Sequence, residues 1–125
     1  MTDLAARSII EKFIRAFNEI DSESVLATLH FPHVVISVQG TEVTATANDF
    51  VYHYANLAET EGWHHTELVT TDTIQEGADK VHVAVRMTRH KADGSVYSDI
   101  SGLWIVTRID GRWGIQVRSM FHNLV

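Results

Sequence analysis

Histidine is the residue type in this chain best suited to proton transfer near neutral pH: there are eight, and no cysteine. An imidazole at the edge of an apolar pocket can act as acid or base at such pH. His64 and His65 are the best placed, next to Trp63 at the start of a long strand. Strand alternation should turn one of them inward. His64 shares parity with Leu68 and Ile74, which favours it, and a bulge near Gly77 would exchange it for His65. Asp72 has the parity of His64 and is the carboxylate expected to face the interior. His64, His65 and Asp72 are therefore the candidate catalytic residues. Asp49 and His53, at i, i+4 spacing, read as a surface link.

Other chemistries lack their signatures. His30 and His33 flank Pro32, and His122 ends the last strand. None of these belongs to a ligand set such as two His one helical turn apart with a carboxylate in view, so no metal and no cofactor is expected. Without Cys there is no thiolate nucleophile and no disulfide framework. Phosphate loops and nucleophile elbows are missing as well.

The elements that must position these residues read clearly at the C-terminal end. Asp93-Gly94 and Asp110-Gly111 are two-residue hairpin signals, because Asp-Gly tolerates the positive φ of a type I′ turn. Counting outward from the first sets Met87 against Ile100, Val85 against Gly102, Val83 against Trp104 and Val81 against Val106. Counting from the second sets Val106 against Ile115, Trp104 against Val117 and Ile100 against Phe121. Both turns place these side chains on one buried face, and a one-residue slip would reverse every one of them.

Ahead of these strands the pattern is helical. Thr2 or Asp3 caps a helix with Ile9, Ile10, Phe13, Ile14 and Phe17 on one stripe. Asp21 or Ser22 caps a second helix through Leu29, closed by Pro32. A hairpin follows over 33–47, then a third helix from Asp49 to Glu61 with Gly62 as its stop, and a strand from His64 to Gln75.

The length of 125 residues suits one domain spanning 1–125. The net charge is −6 and the basic residues are scattered, which leaves nucleic acid no patch to bind. No apolar run approaches the ~20 residues of a membrane span, so a soluble cytoplasmic protein is expected.

The order helix, helix, short hairpin, helix, four long strands resembles the nuclear transport factor 2-like superfamily, and in particular its uncharacterised SnoaL-like and ketosteroid-isomerase-like branch. The resemblance is most specific over Asp79–Val85 and Leu103–Gln116. It implies an α+β fold in which a curved antiparallel sheet wraps around the N-terminal helices as a cone. It also implies a hydrophobic small-molecule pocket between helices and sheet, with Phe13, Phe17, Val35, Ser37, Trp63, Met87, Trp104, Ser119 and Phe121 as candidate ligand-binding residues. In relatives the outer sheet face meets its copy, so Leu103, Ile105, Ile109 and Met120 are expected in a homodimer interface.

Two function classes follow. One is a cofactor-independent acid–base enzyme of dehydratase, isomerase or cyclase type. The other is a non-catalytic dimeric module that binds a ligand or a protein. Steroid isomerisation does not carry over. Phe13 stands where the isomerase has a Tyr, Ser37 near its Asp base, and Trp104 or Ile105 near its second Asp; none of these supplies the needed base or hydrogen-bond donor.

Overall fold

The computed structural model describes the backbone of residues 2–124 and the side chains of residues 2–122. Helix α1 (Thr2–Asn18) buries Ala6, Ile10, Phe13 and Ile14, the stripe that its three- and four-residue spacing creates. It is tied down at both ends. At its start the Glu76 carboxylate accepts from Thr2 Oγ1 at 2.6 Å and Asp3 N at 2.7 Å. At its end the Asn18 amide bonds both backbone groups of Thr66, at 2.7 and 2.8 Å. Helix α2 (Ser22–Ala27) is capped by Asp21, which accepts from Ser24 N.

Six strands follow: β1 (Leu29–Ser37), β2 (Gly40–Thr44), β3 (His65–Glu76), β4 (Lys80–His90), β5 (Val96–Ile109) and β6 (Arg112–Leu124). Helix α3 (Tyr54–Glu61) lies between β2 and β3 and stops at Gly62, whose φ of 73° ends it in the left-handed region. Val25, Leu29, Val81, Val83, Val106, Ile115 and Trp104 are buried in the core between the helices and the inner sheet face.

The sheet departs from the expected cone. Its strand order is β2-β1-β6-β5-β4-β3, a linear series whose edges, β2 and β3, do not pair with each other. It is also mixed, because β1 runs parallel to β6 while its other pairings are antiparallel. Closure would require the two edge strands to exchange ladder hydrogen bonds. The fold is thus α+β with helices against one face of an open, mixed sheet.

Several boundaries also differ from expectation. Leu29 opens β1 instead of ending α2, and Pro32 lies within β1 after a cis Phe31–Pro32 peptide. Asn48 sits in a 3-10 turn (Ala47–Asp49), and the chain has no regular secondary structure from there until α3 begins at Tyr54. Asp49 and His53 therefore do not share a helix, and Asp49 accepts from the Thr46 hydroxyl at 2.9 Å instead.

The two hairpins diverge instructively. Asp110 (φ 53°) and Gly111 (φ 76°) form the expected two-residue turn, with Ile109 opposite Arg112. Near Asp93 only Gly94 has positive φ, and the loop closes through Lys91 N to Ser95 O. A register shift at His90 compensates, so Met87 still faces Ile100 and Val83 still faces Trp104.

On β6 a second shift goes uncompensated. Val106 pairs with Ile115 but Ile105 pairs with Val117, leaving Gln116 as the extra residue of a bulge. The Gln116 side chain fixes it, donating to Pro32 O at 2.6 Å and accepting from Thr107 Oγ1 at 3.0 Å. From here on β6 presents the opposite parity. Arg118 stands against Trp104, Met120 against Gly102 and His122 against Ile100, while Ser119 and Phe121 turn to the outer face.

Candidate functional site

A cavity of about 550 Å³ opens between α1, the segment leading into α3, the β1–β2 hairpin and the inner sheet face. That is a usual size for a small-molecule pocket. Phe13 and Phe17 enter it from α1, Val35 and Ser37 from β1, Leu57 and Glu61 from α3, and Met87, Arg89, Arg118 and Met120 from the sheet. Its walls mix apolar side chains with polar and charged ones, among them Glu42, Glu61, Arg89 and Arg118.

Of the candidate ligand-binding residues, Phe13, Phe17, Val35, Ser37 and Met87 line this cavity. Trp63 and Trp104 form a layer behind it. Phe17 packs edge-on against Trp63, with centroids 5.4 Å apart, and Trp63 Nε1 donates to Thr66 Oγ1. Trp104, 1 % exposed, lies edge-on beneath Phe13 at 5.5 Å. Ser119 and Phe121 lie on the opposite face, because the Gln116 bulge reverses their direction. Phe121 is 64 % exposed there.

The three candidate catalytic residues lie outside the cavity. His65 pairs with His90, and Asp72 with Ala84, on the outer sheet face. His64 precedes β3 and is exposed, with its Nδ1 2.9 Å from that of His65. The expectation that alternation turns one imidazole inward fails because β3 begins only at His65, whose inward neighbour is Thr66.

Arg118 is the residue that simple alternation misses. Its guanidinium carbon lies 4.8 Å from the Phe13 ring centroid and 5.6 Å from that of Trp104. Contacts of this kind attract a cation to the ring faces. Its Nε donates to His33 Nε2 at 3.1 Å. His33, 1 % exposed, bonds the Ile115 carbonyl through Nδ1 at 3.0 Å. Because a carbonyl only accepts, that bond assigns the proton to Nδ1 and leaves Nε2 as the acceptor for Arg118. Burial, and then the charge of Arg118, push the His33 pKa down to about 3. Burial and neighbouring Arg89 lower that of Arg118 to about 10, with Glu42 acting in the opposite sense. At neutral pH a charged guanidinium is thus held by an uncharged imidazole.

A second polar group closes the α3 side. Arg89 Nη1 donates to Glu61 Oε1 at 3.2 Å, and the Tyr97 hydroxyl donates to the same oxygen at 2.8 Å. Burial and Glu61 raise the Tyr97 pKa, so its proton stays in place. Glu61 therefore answers the charge of Arg89. His122 also borders the cavity, and burial lowers its pKa. Gly102 lies close against β6 opposite Met120, where a Cβ would overlap the Ser119 carbonyl oxygen.

Three residues of metal-ligand type come together on the outer face, where no sequence spacing announced them. His65, Glu67 and His90 bring ligand atoms within 4.8 Å of one another, because β3–β4 pairing sets His65 beside His90. His90 Nδ1 bonds Gly94 O at 3.2 Å, which leaves Nε2 toward Thr88 and Glu67. The two rings stack at 14° with centroids 4.6 Å apart. Stacked rings direct their lone pairs side by side, so they would have to fan apart to share one ion.

A family model described as NTF2-like protein (DUF6841) matches residues 3–120. No curated protein matches the chain in sequence. Among solved structures, a Nostoc punctiforme protein of unknown function with a cystatin-like fold superposes with a TM-score of 0.79 at 14 % identity, over 97 % of this chain and 90 % of that one. A ketosteroid isomerase-like protein from Erwinia carotovora atroseptica gives 0.71 at 20 % identity, over 94 % and 92 %. An NTF2-like protein of unknown function from Pseudomonas putida gives 0.70 at 13 % identity, over 92 % and 82 %. At these identities the similarity establishes the fold alone.

Proposed function

Because the chain belongs to the NTF2-like protein family (DUF6841), we propose that it works as a small-molecule-binding protein, with its ligand in the cavity between α1, α3 and the inner sheet face. The observation that carries this reading is the cavity of about 550 Å³, left open while Trp63 and Trp104 pack the layer behind it. Phe17, Leu57, Met87 and Val35 supply apolar walls for a ring-sized body. His64, His65 and Asp72 lie outside this cavity and take no part in binding there.

Likeness to a ketosteroid isomerase-like protein does not extend to isomerase chemistry on this reading. Phe13 and Ser37 line the cavity, but Phe13 has no hydroxyl, and the Ser37 hydroxyl accepts from Gln39 N and bonds no base among the described residues. The test is calorimetric titration with neutral 2-naphthalenemethanol, comparing the wild type with Val35→Trp, which places an indole in the cavity wall. Saturable binding by the wild type that weakens at least about tenfold in the variant supports the reading. Equal binding by both would place the probe elsewhere and contradict it.

We also propose that the outer sheet face meets a second copy of the chain. Support comes from Phe121, exposed beside Leu103, Ile105 and Val117 on β5 and β6. Met120, once expected on that face, is buried on the inner one.

A further inference from the structure

We propose that the cavity takes an organic anion, a single carboxylate on an apolar body, with the carboxylate oxygens on the two Nη groups of Arg118. This rests on reading the cavity as a small-molecule site and adds the charge and shape of the ligand.

The Nε of Arg118 is taken by His33, and neither Nη has a hydrogen-bond partner among the described residues. Since the His33 imidazole is neutral, it orients the guanidinium without cancelling its charge. Phe13 and Trp104 hold the guanidinium by further contacts through their rings. The planar fork is thereby fixed before any ligand arrives, which reduces the ordering cost of binding.

No carboxylate forms an ion pair with Arg118 among the described residues, and Glu42, which borders the cavity, favours its charge only from a distance. Glu61 already pairs with Arg89 and accepts from Tyr97. His53 also borders the cavity, and His122 is shifted toward its neutral form. A desolvated cation with two free donors on a common plane matches the two oxygens of a carboxylate. Phe17, Leu57 and Met87 make the rest of the cavity suited to hydrocarbon, unlike a site for a small inorganic anion.

The experiment is a calorimetric comparison of 2-naphthoate with neutral 2-naphthalenemethanol, using wild type, Arg118→Met and Arg118→Lys. We expect the wild type to bind naphthoate at least about tenfold more tightly than the alcohol. Arg118→Met should erase the difference between the probes, and Arg118→Lys should retain part of it. Inorganic phosphate at matched concentration should not displace naphthoate. Equal wild-type affinities for the two probes would overturn the anion inference while leaving the cavity reading intact, and this comparison needs no variant to fold. Displacement by phosphate would overturn the assignment to a carboxylate on an apolar body. Failure of both probes to bind would overturn the cavity reading itself.

Discussion

At the scale of residues, the pair His33 and Arg118 links the site to stability. The folded pKa of His33 is about 3 against an ordinary 6.5, so between these values the unfolded chain binds the extra proton. Stability contributed by neutral His33 is fully present above about pH 6.5 and is lost progressively as pH falls toward 3. Between pH 6.5 and pH 5 the loss is about 2 kcal/mol. His122, lowered in the same direction, adds to it. We therefore expect the urea midpoint to fall from pH 7.5 to pH 5, and to fall less in His33→Gln, whose amide oxygen still accepts from Arg118. An undiminished pH dependence in the variant would show that His33 is not the titrating group.

At the scale of elements, the β6 bulge decides what the cavity contains. Gly102 lies opposite Met120, where an added Cβ would meet the Ser119 carbonyl oxygen and the Met120 Cα. Gly102→Ala should cost about 1–3 kcal/mol, as overpacking against backbone does, and lower the denaturation midpoint. An unchanged midpoint would mean that β5 and β6 can separate there freely. The helical stripe of α1, the Gly62 stop and the Asp110–Gly111 turn were legible because each is specified by local chemistry. The β4–β5 register was legible for a weaker reason: a different loop with a compensating shift at His90 preserves the same pairs. The direction of Arg118 was not legible. It depends on one unpaired residue, Gln116, whose bonds to Pro32 and Thr107 come from other strands. The parallel partnership of β1 with β6 is equally non-local, and the His65–Glu67–His90 cluster exists only through β3–β4 pairing.

At the scale of the whole molecule, the open sheet has two faces, a cavity face under the helices and an outer face carrying the exposed Leu103 and Phe121. Phe121→Lys should weaken self-association while leaving the far-ultraviolet circular dichroism unchanged, since that side chain is 64 % exposed. Sedimentation showing a wild-type monomer at micromolar concentration would contradict the dimer. Turnover of a 3-oxo-Δ5-steroid should stay at background, because Phe13 and Ser37 supply neither the hydroxyl donor nor the carboxylate base that lower such a barrier by several kcal/mol. The most direct test of the central claim is a crystal structure of the wild type soaked with 2-naphthoate. We predict density for the ring between Phe17, Leu57 and Met87, with both carboxylate oxygens about 3 Å from the Nη atoms of Arg118. An empty cavity at saturating ligand, or the ring seated on the outer sheet face, would contradict it.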